Sequence, residues 1–296
     1  VKSVTRTITY IKDGTTEEVS PTEAPKWTDK VSFTRIVVVN PKDGSVVGYD
    51  TTGDGIADVA ATDSTSGWKA AGTAKFTEKT SPVVKGYVVK PNQDTQGDLV
   101  EADGSKVKAS TTDLTVDSPN QDLKVRYVLV GKLVPKVPEG VTPPTPVTPT
   151  PYENVPGEPG KVVPPSPTKP TDPQDPNSPK VPVIPHIPGT TPQVPQDPTK
   201  PVDPNTNPLV PLEPVTPGKP EDGYKVPPVP TNPTKDLEIN YEKDTQKATV
   251  KYVVEGTNTV LHTDELEGKS GEPIDYSTVA KLAELKALGY DLVSDG

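Results

Sequence analysis

The sequence predicts a mainly β protein with an α+β segment at its C-terminal end, and three observations support this class. Residues 1–132 alternate β-branched and polar residues, which is the pattern of half-buried strands. Of the 40 prolines, six precede residue 133 and one follows residue 235, so 33 lie in residues 133–235. Residues 236–296 return to alternation and then change to a helical repeat. We therefore expect a β-domain over 1–132, a linker over 133–235 and a second module over 236–296.

Three runs in residues 1–132 have the alternation of strands. The run 4–11 places on one side Val4, Arg6, Ile8 and Tyr10. The run 30–39 is interrupted by Arg35 and places on one face Val31, Phe33, Val37 and Val39. In the run 122–130, Lys124 and Arg126 alternate with the apolar residues Leu123, Val125, Tyr127 and Leu129. We expect the apolar side of each run to face a core.

The proline-rich segment has a proline at every third residue from Pro164 to Pro188. Polyproline II has three residues per turn, so this spacing predicts an extended, semi-rigid linker. At about 3.1 Å per residue, about 100 residues would reach on the order of 300 Å. The PxxP spacing also matches ligands of aromatic-grooved domains, but any period-three proline repeat produces it, so we favour the spacer interpretation.

The C-terminal segment has the order strand, strand, helix and strand, which is that of a β-grasp unit. Residues 247–266 form two strand patterns around a turn at Gly256–Asn258. A helical repeat follows, with capping by Asp275 or Ser277 and a stop at Gly289. Its apolar positions are Val279, Leu282, Leu285 and Leu288. The final "YDLVSDG" opens a further strand or turn, so we expect the unit to be truncated at its C-terminus.

Composition excludes several classes of protein. The net charge is −10 and no Lys/Arg cluster is present, so we expect neither nucleic acid nor an anionic membrane as a partner. The longest branched-apolar run, Ile36–Val39, is far too short to span a bilayer. The chain has no cysteine, no methionine and no leader pattern. An acidic, cysteine-free β-sequence beside a proline tract fits an exported bacterial surface protein, and we expect this chain to be a fragment of one.

One loop resembles a calcium-binding loop. The stretch "YDTTGDGIADVAATD", residues 49–63, has the acidic spacing of an EF-type loop, with glycine at the sixth position. The candidate ligands are Asp50, Thr52, Asp54, Ile56 (through its carbonyl), Asp58 and Asp63. The bidentate glutamate of the twelfth position is missing, and no helix is predicted on either side. We therefore weigh a calcium ion that orders the loop against an exposed Asp/Gly-rich turn without metal.

The sequence contains no pattern of a catalytic site. It lacks a Ser-His-Asp arrangement, a phosphate-binding loop and a zinc pattern. His186 lies alone in the proline tract, and His262 lies on a predicted strand. An exposed Trp68 could stack on a sugar ring, although we favour a tryptophan that anchors its loop, because of the area that tryptophan buries. We expect no enzyme, and no cofactor apart from the candidate calcium.

Two stretches of the chain resemble a known family. In residues 1–132, "SVTRTITYI", "VSFTRIVVV", "FTEKTSPVVKGY" and "DLKVRYV" resemble the mucin-binding (MucBP, Mub-repeat) domains of surface adhesins of lactobacilli and related Gram-positive bacteria. In the C-terminal segment, "GKSGEPIDYST" and "LGYDLVSDG" resemble the companion ubiquitin-like module. The resemblance implies wall anchoring, tandem repetition, adhesion to mucus glycoproteins and, in some members, immunoglobulin binding. Members usually continue past the equivalent of "LVSDG" with a further strand or two.

These observations lead us to expect a fragment of an extracellular, cell-wall-anchored adhesin. It would bind host mucin glycans multivalently and be monomeric, with its export signal and anchor outside these residues. Two alternatives stay open. One is a structural stalk that displays a binding domain elsewhere, and the other is a module that pairs with immunoglobulin along an exposed sheet edge.

Overall fold

The computed structural model describes residues 1–295. The chain divides into two compact units. Unit 1 comprises residues 1–132, 151–164 and 229–235, and unit 2 comprises the described residues of 133–150, 165–228 and 236–295. The residues predicted to be a linker are thus divided between both units. The structure is mostly β, with 40% strand and 3% helix, which confirms the predicted fold class.

The strands are numbered in chain order. The first ten are β1 (Lys2–Lys12), β2 (Trp27–Thr34), β3 (Ile36–Val39), β4 (Val46–Asp50), β5 (Val59–Ala60), β6 (Lys69–Ala70), β7 (Lys79–Thr80), β8 (Tyr87–Val89), β9 (Lys106–Val107) and β10 (Gln121–Leu129). The next ten are β11 (Lys132–Lys136), β12 (Thr150–Pro151), β13 (Glu153–Val155), β14 (Glu158–Val163), β15 (Thr168–Pro170), β16 (Lys180–Pro182), β17 (Thr190–Pro195), β18 (Leu209–Pro211), β19 (Pro214–Thr216) and β20 (Lys219–Tyr224). The last elements are β21 (Leu237–Lys243), β22 (Thr245–Val253), β23 (Val260–Lys269) and helix α1 (Val279–Ala287).

Unit 1 is built on a five-stranded sheet in the order β6-β2-β1-β10-β8. The central strand β1 pairs antiparallel with β2 and parallel with β10. Smaller sheets of the same unit are β3-β4-β5, β7-β9 and β13-β14. Because β1 and β10 are parallel neighbours far apart in sequence, the segment between them has to cross over to the same end of the sheet.

The predicted inward side of β1 is confirmed, because its alternate residues are all buried. The exposed fractions are 1% for Val4, 1% for Arg6, 0% for Ile8 and 1% for Tyr10. Ile8 and Tyr10 belong to a cluster with Leu123, Val125 and Tyr127 of β10. Val4 belongs to a second cluster with Val31, Phe33 and Phe76. Each such side chain contributes about 1.5–3 kcal/mol on burial, so these two clusters provide the apolar stabilisation of the sheet.

The predicted strand 30–39 is two strands in two different sheets. The break falls at Arg35, between β2 and β3. Before it, Phe33 is 3% exposed, whereas Val37 and Val39 beyond it are 46% and 50% exposed. The prediction that Val37 and Val39 share the buried face of Phe33 is therefore wrong. The guanidinium of Arg35 lies over the Tyr49 ring of β4, and the residues that follow Arg35 pair in the β3-β4-β5 sheet.

Unit 2 contains a five-stranded sheet in the order β12-β11-β21-β17-β18. Three further pairs of strands are β15-β16, β19-β20 and β22-β23. Most of these strands come from the proline-rich segment, which the sequence predicted to be an extended polyproline II linker. The structure differs from that prediction.

The reason lies in the residues between the prolines. Proline requires an extended backbone, which strands and polyproline II share, so the period of three does not distinguish them. The stretch "VPVIPHIP" places apolar side chains close together, and Ile184 and Ile187 are 2% and 1% exposed. In β17, Gln193 pairs with both Asn240 of β21 and Pro211 of β18. Burial of these apolar side chains favours a paired sheet over a solvated rod.

The C-terminal hairpin and helix follow the predicted order. Strands β22 and β23 pair from Thr245 with Lys269 to Val253 with Val260. Helix α1 begins after Thr278, and Ser277 Oγ accepts a hydrogen bond from the Val279 amide at 3.3 Å. Its C-terminus has the Schellman pattern, in which Tyr290 N donates to Leu285 O and Gly289 has φ +91°. Residues 290–295 form no strand. Within residues 1–295, no helix is long and apolar enough to cross a bilayer.

Candidate functional site

The six candidate calcium ligands lie on both sides of the short strand β5. Asp50 ends β4, Asp58 immediately precedes β5, and Asp63 follows it. Thr52, Asp54 and Ile56 lie in the loop between β4 and β5. The loop is therefore the connection of an antiparallel pair, in which Gly48 and Tyr49 pair with Ala60 and Val59.

Asp50 is used as a hydrogen-bond acceptor for its own loop. It is 3% exposed. Its Oδ1 accepts from the amides of Thr52 at 3.0 Å and Gly53 at 2.5 Å, and its Oδ2 accepts from Gly55 N at 2.8 Å. These backbone donors, with Gly53 and Gly55 first, lower the pKa of the Asp50 carboxyl. Both carboxylate oxygens thus face N–H groups.

The other candidate carboxylates are also hydrogen-bond acceptors for nearby backbone amides. Asp58 Oδ2 accepts from Thr51 N at 2.7 Å and from Thr52 N at 3.1 Å. Asp54 accepts from Ile56 N at 2.9 Å. Asp63 Oδ1 accepts from the amides of residues 65 and 66, both at 2.8 Å. The amide of residue 66, followed by that of residue 65, lowers the pKa of Asp63 to about 2.

In this arrangement the carboxylates of Asp50 and Asp58 serve as hydrogen-bond acceptors within the loop. A cation needs lone pairs that converge on it, whereas here the lone pairs of Asp50 and Asp58 converge on N–H donors around Thr52. Within the described residues, no three His, Cys, Asp or Glu side chains come close enough to hold a metal ion. The loop is closed by Asx-type hydrogen bonds, which is the alternative that the sequence left open.

Trp68 anchors this loop to the sheet of unit 1. Its indole Nε1 donates to Ser64 O at 3.1 Å. The Arg35 guanidinium lies 4.6 Å and the Lys2 ammonium 5.1 Å from its ring centroid. Arg35 also donates to Asp63 O at 2.8 Å. Because the half-buried ring is already in contact with two cations and with the core, these contacts favour a loop anchor over a sugar platform.

A groove of about 930 Å³ lies between the β22-β23 hairpin and helix α1. Its apolar lining comes from both elements and includes Val250, Tyr252, Leu282 and Leu285. The C-terminal residues Tyr290, Leu292 and Val293 complete it and are 42%, 60% and 67% exposed. The lining combines aromatic, aliphatic and charged groups.

A chain of hydrogen bonds runs from the groove into the hairpin. Tyr252, which lines the groove, has its hydroxyl 2.6 Å from that of Tyr276. Tyr276 donates to Asp264 Oδ2 at 2.7 Å, and Asp264 Oδ1 lies 2.8 Å from His262 Nε2. The register places Tyr252 opposite His262, and Val250 opposite Asp264, so all four lie on one face.

This network has consequences for charge. The hydrogen bond with Tyr252, followed by burial and the bond to Asp264, raises the pKa of Tyr276. The hydrogen bond from Tyr276, and then the contact with His262, lower the pKa of Asp264. The carboxylate is thereby held ionised beside the groove. No sequence motif contains Tyr276 and Asp264, although the hairpin register and the period of two place Asp264 on the face of Tyr252.

One comparison with known protein families matches the part of the chain that forms this groove. Residues 246–296 match the family model described as mucin binding domain. All the residues that line the groove lie within this range. The matched family is one of adhesin domains without enzymatic activity. The chain matches no curated protein.

Three solved structures are similar to parts of the chain. Mub-RV is 25% identical, with 43% of this chain and 52% of that chain covered and a TM-score of 0.27. The chain thus spans about half the length of Mub-RV. The mucin-binding domain of Spr1345 from Streptococcus pneumoniae is 20% identical, with coverage of 44% and 91% and a TM-score of 0.27. The MucBP domain of an adhesion protein from Pediococcus pentosaceus is 23% identical, with coverage of 43% and 97% and a TM-score of 0.26. The predicted resemblance to mucin-binding surface adhesins is confirmed by the match of residues 246–296. The match falls on the segment that the sequence predicted to be the ubiquitin-like companion module, and not on residues 1–132.

Proposed function

We propose that this chain is part of a bacterial cell-surface adhesin that attaches to host mucus glycoproteins, and that the groove of residues 246–296 contacts the mucin. The observation that carries the proposal is the coincidence of the family match with the groove. Extracellular exposure is consistent with this family of surface adhesins.

The groove has the chemistry that a glycan requires. A sugar presents a C–H face to aromatic rings and hydroxyl groups to charged side chains. Tyr290 provides an exposed ring of the lining, and the buried Tyr252 lies beneath the groove surface. Lys251, Glu255, Lys286, Asp291 and Asp295 provide the charged groups of its lining. With two ammonium and three carboxylate groups, the lining offers both donors and acceptors to hydroxyl groups.

Attachment would be multivalent. A single open groove of this kind binds weakly, because the ligand stays in contact with water. Repetition of the module along a longer chain would raise the effective concentration of binding sites and increase the avidity by 10²–10⁴, as a general estimate for linked sites. We propose that anchoring to the cell wall, outside these residues, provides the fixed end.

A second candidate function is supported by strand β3. This strand is at the edge of the β3-β4-β5 sheet, and Ile36, Val37 and Val39 are each about half exposed. An exposed apolar edge strand can pair with a strand of another protein. Immunoglobulin, whose domains expose sheet edges, is the partner we propose for this edge.

The test measures retention of the full chain on immobilised mucin. The double substitution Tyr290→Ala and Leu292→Ala removes two exposed groove side chains, and we expect about tenfold weaker binding, as for other interface anchors. Leu129→Ala is the matched control, since Leu129 is 66% exposed but lies in unit 1. We expect the control to bind as the native chain does.

The same assay separates the alternatives. Equal loss in both variants, or no loss in either, would remove the groove from the proposal. No retention of the native chain on mucin, together with capture on immobilised immunoglobulin, would favour the edge of β3. Absence of binding to both would favour a structural stalk.

A further inference from the structure

The outer edge of β10 is covered by backbone along only part of its length. Its inner edge pairs with β1 from Gln121 to Tyr127. On the outer side, β8 pairs only with Tyr127, Val128 and Leu129. The backbone groups of Lys124 and the backbone amide of Arg126 would thus be open to a further strand.

The chain leaves this edge abruptly after β8. Lys90 N still donates to Arg126 O at 2.8 Å. Pro91 follows, and Asn92 has φ +58°, a left-handed conformation that asparagine tolerates better than most residues. The strand therefore turns away before it can reach Lys124.

Two glutamine side chains replace the missing strand. Gln93 Oε1 accepts from Arg126 N at 2.7 Å, and Gln93 Nε2 donates to Arg126 O at 3.1 Å. Gln96 Oε1 accepts from Lys124 N at 3.0 Å, and Gln96 Nε2 donates to Lys124 O at 2.7 Å. Each amide makes both hydrogen bonds of an antiparallel pair, at two alternate residues of β10.

The loop that carries these glutamines is held in place by its own hydrogen bonds. Gln93 is only 7% exposed, and its backbone amide donates to Ala102 O at 2.7 Å. Gln96 adopts φ +50°, and its amide donates to Asp94 Oδ1 at 3.0 Å. A left-handed conformation at a glutamine is unfavourable, and here it occurs at a residue whose side chain completes the edge.

We propose that Gln93 and Gln96 act as a surrogate strand that closes the β10 edge against pairing with the same edge of a second copy of this chain. The partner follows from charge. In antiparallel self-pairing centred on Lys124, Asp122 of each copy lies opposite Arg126 of the other. Two pairs of opposite charge then outweigh one Lys124–Lys124 contact between like charges. The glutamines therefore keep a self-complementary edge monomeric.

The test uses the full chain with Gln93→Met and Gln96→Met, singly and together. Methionine keeps the length of the side chain and removes its donor and acceptor. Gln246→Met, at an exposed position of β22, is the matched control. The two measurements are hydrogen exchange of the Lys124 and Arg126 amides, and sedimentation velocity over a range of concentrations.

We expect exchange at Lys124 and Arg126 to become at least about tenfold faster in the double variant, with Val128 unchanged, and a concentration-dependent dimer to appear. The native chain and the control should stay monomeric. Unchanged exchange would show that the side-chain amides of Gln93 and Gln96 do not protect the backbone of β10. Faster exchange without a dimer at any concentration would show that they do not prevent self-association. Either result overturns the proposal. If the double variant does not fold, Gln96→Met alone decides, since its half-exposed side chain can be lost without opening the core.

Discussion

Arg6 of β1 and Asp29 of β2 form a salt bridge inside unit 1. The guanidinium is 1% exposed, and its Nε donates to Asp29 Oδ2 at 2.8 Å. Its other donors reach Lys108 O at 3.0 Å and Thr77 O at 2.6 Å, and it lies 4.9 Å from the centroid of the Phe76 ring. One buried cation thus joins the sheet to the segments that cross it.

We predict that Asp29→Asn strongly destabilises unit 1. The substitution leaves the buried guanidinium without its counter-charge, which typically costs 3–5 kcal/mol, as a rough estimate. Trp27 and Trp68 are the only tryptophans and both lie in unit 1, so urea unfolding followed by tryptophan fluorescence reports on this unit alone.

Asp13→Asn is the matched control for this prediction. Asp13 pairs with Lys90 at 3.0 Å, but both side chains are at least 30% exposed. A surface pair of this kind contributes about 0–1 kcal/mol. Similar losses in the two variants would contradict the assignment of Arg6 and Asp29 as a buried structural pair.

We predict that amides of the proline-rich segment are protected from hydrogen exchange. Val183 N donates to Pro167 O at 2.9 Å, Leu212 N to Pro192 O at 2.9 Å, and Tyr224 N to Ile184 O at 3.0 Å. A polyproline II rod has no internal hydrogen bonds and would exchange at random-coil rates. We expect these three amides to exchange at least about a hundredfold more slowly than the same amides in two synthetic peptides, one of residues 164–188 and one of residues 205–228. Equal rates would restore the linker interpretation.

The elements that the sequence could predict are those with a regular spacing of apolar residues, of period two in a strand or about 3.6 in a helix. The buried side of β1, the β22-β23 hairpin and the helix with its stop at Gly289 all follow from spacing. Arg6 was placed on the inward side by the period of two, but its partner lies 23 residues away, and no local pattern contains that distance.

The remaining features depend on long-range contacts or on the choice between two acceptable partners. Prolines fit both a rod and a strand, so only the burial of residues such as Ile184 decides. The carboxylate of Asp50 can bind either a cation or the N–H groups of its own loop, and the sequence pattern is compatible with both arrangements. Gln93 and Gln96 lie in a polar loop, and nothing in that composition indicates that their amides complete a sheet edge.

We predict that removal of calcium leaves the stability of unit 1 unchanged. Backbone N–H donors already bind the carboxylates of Asp50 and Asp58 and order the acidic loop, so we expect no further stabilisation from a cation. Thermal unfolding followed by tryptophan fluorescence should give the same midpoint in EDTA and in millimolar calcium. A midpoint several degrees higher in calcium, lost in Asp54→Ala, would establish the metal site that the sequence suggested.

We predict that Asp63 contributes to the acid sensitivity of unit 1. Its folded-state pKa of about 2 is below the unfolded value near 3.9, so its stabilisation is present above about pH 4 and is lost as the pH falls toward 2. Asp63→Asn should lower the urea midpoint at pH 6, and the native and variant midpoints should converge by about pH 2. A constant difference between them across this range would exclude titration of Asp63 as the cause.

We predict that Tyr276→Phe weakens both the hairpin–helix packing and mucin retention. The substitution removes the donor to Asp264 at 2.7 Å and the contact with the Tyr252 hydroxyl at 2.6 Å. Because the substitution removes a hydrogen bond to a charged carboxylate, exchange of the β22 and β23 amides should become faster. Tyr290→Phe, which keeps an exposed groove ring and alters neither contact, is the control and should exchange as the native chain does. If Tyr276→Phe made the hairpin amides exchange faster without any loss of mucin retention, the role of this hydrogen-bond network would be structural only. Binding in the groove would then not depend on the position of Tyr252.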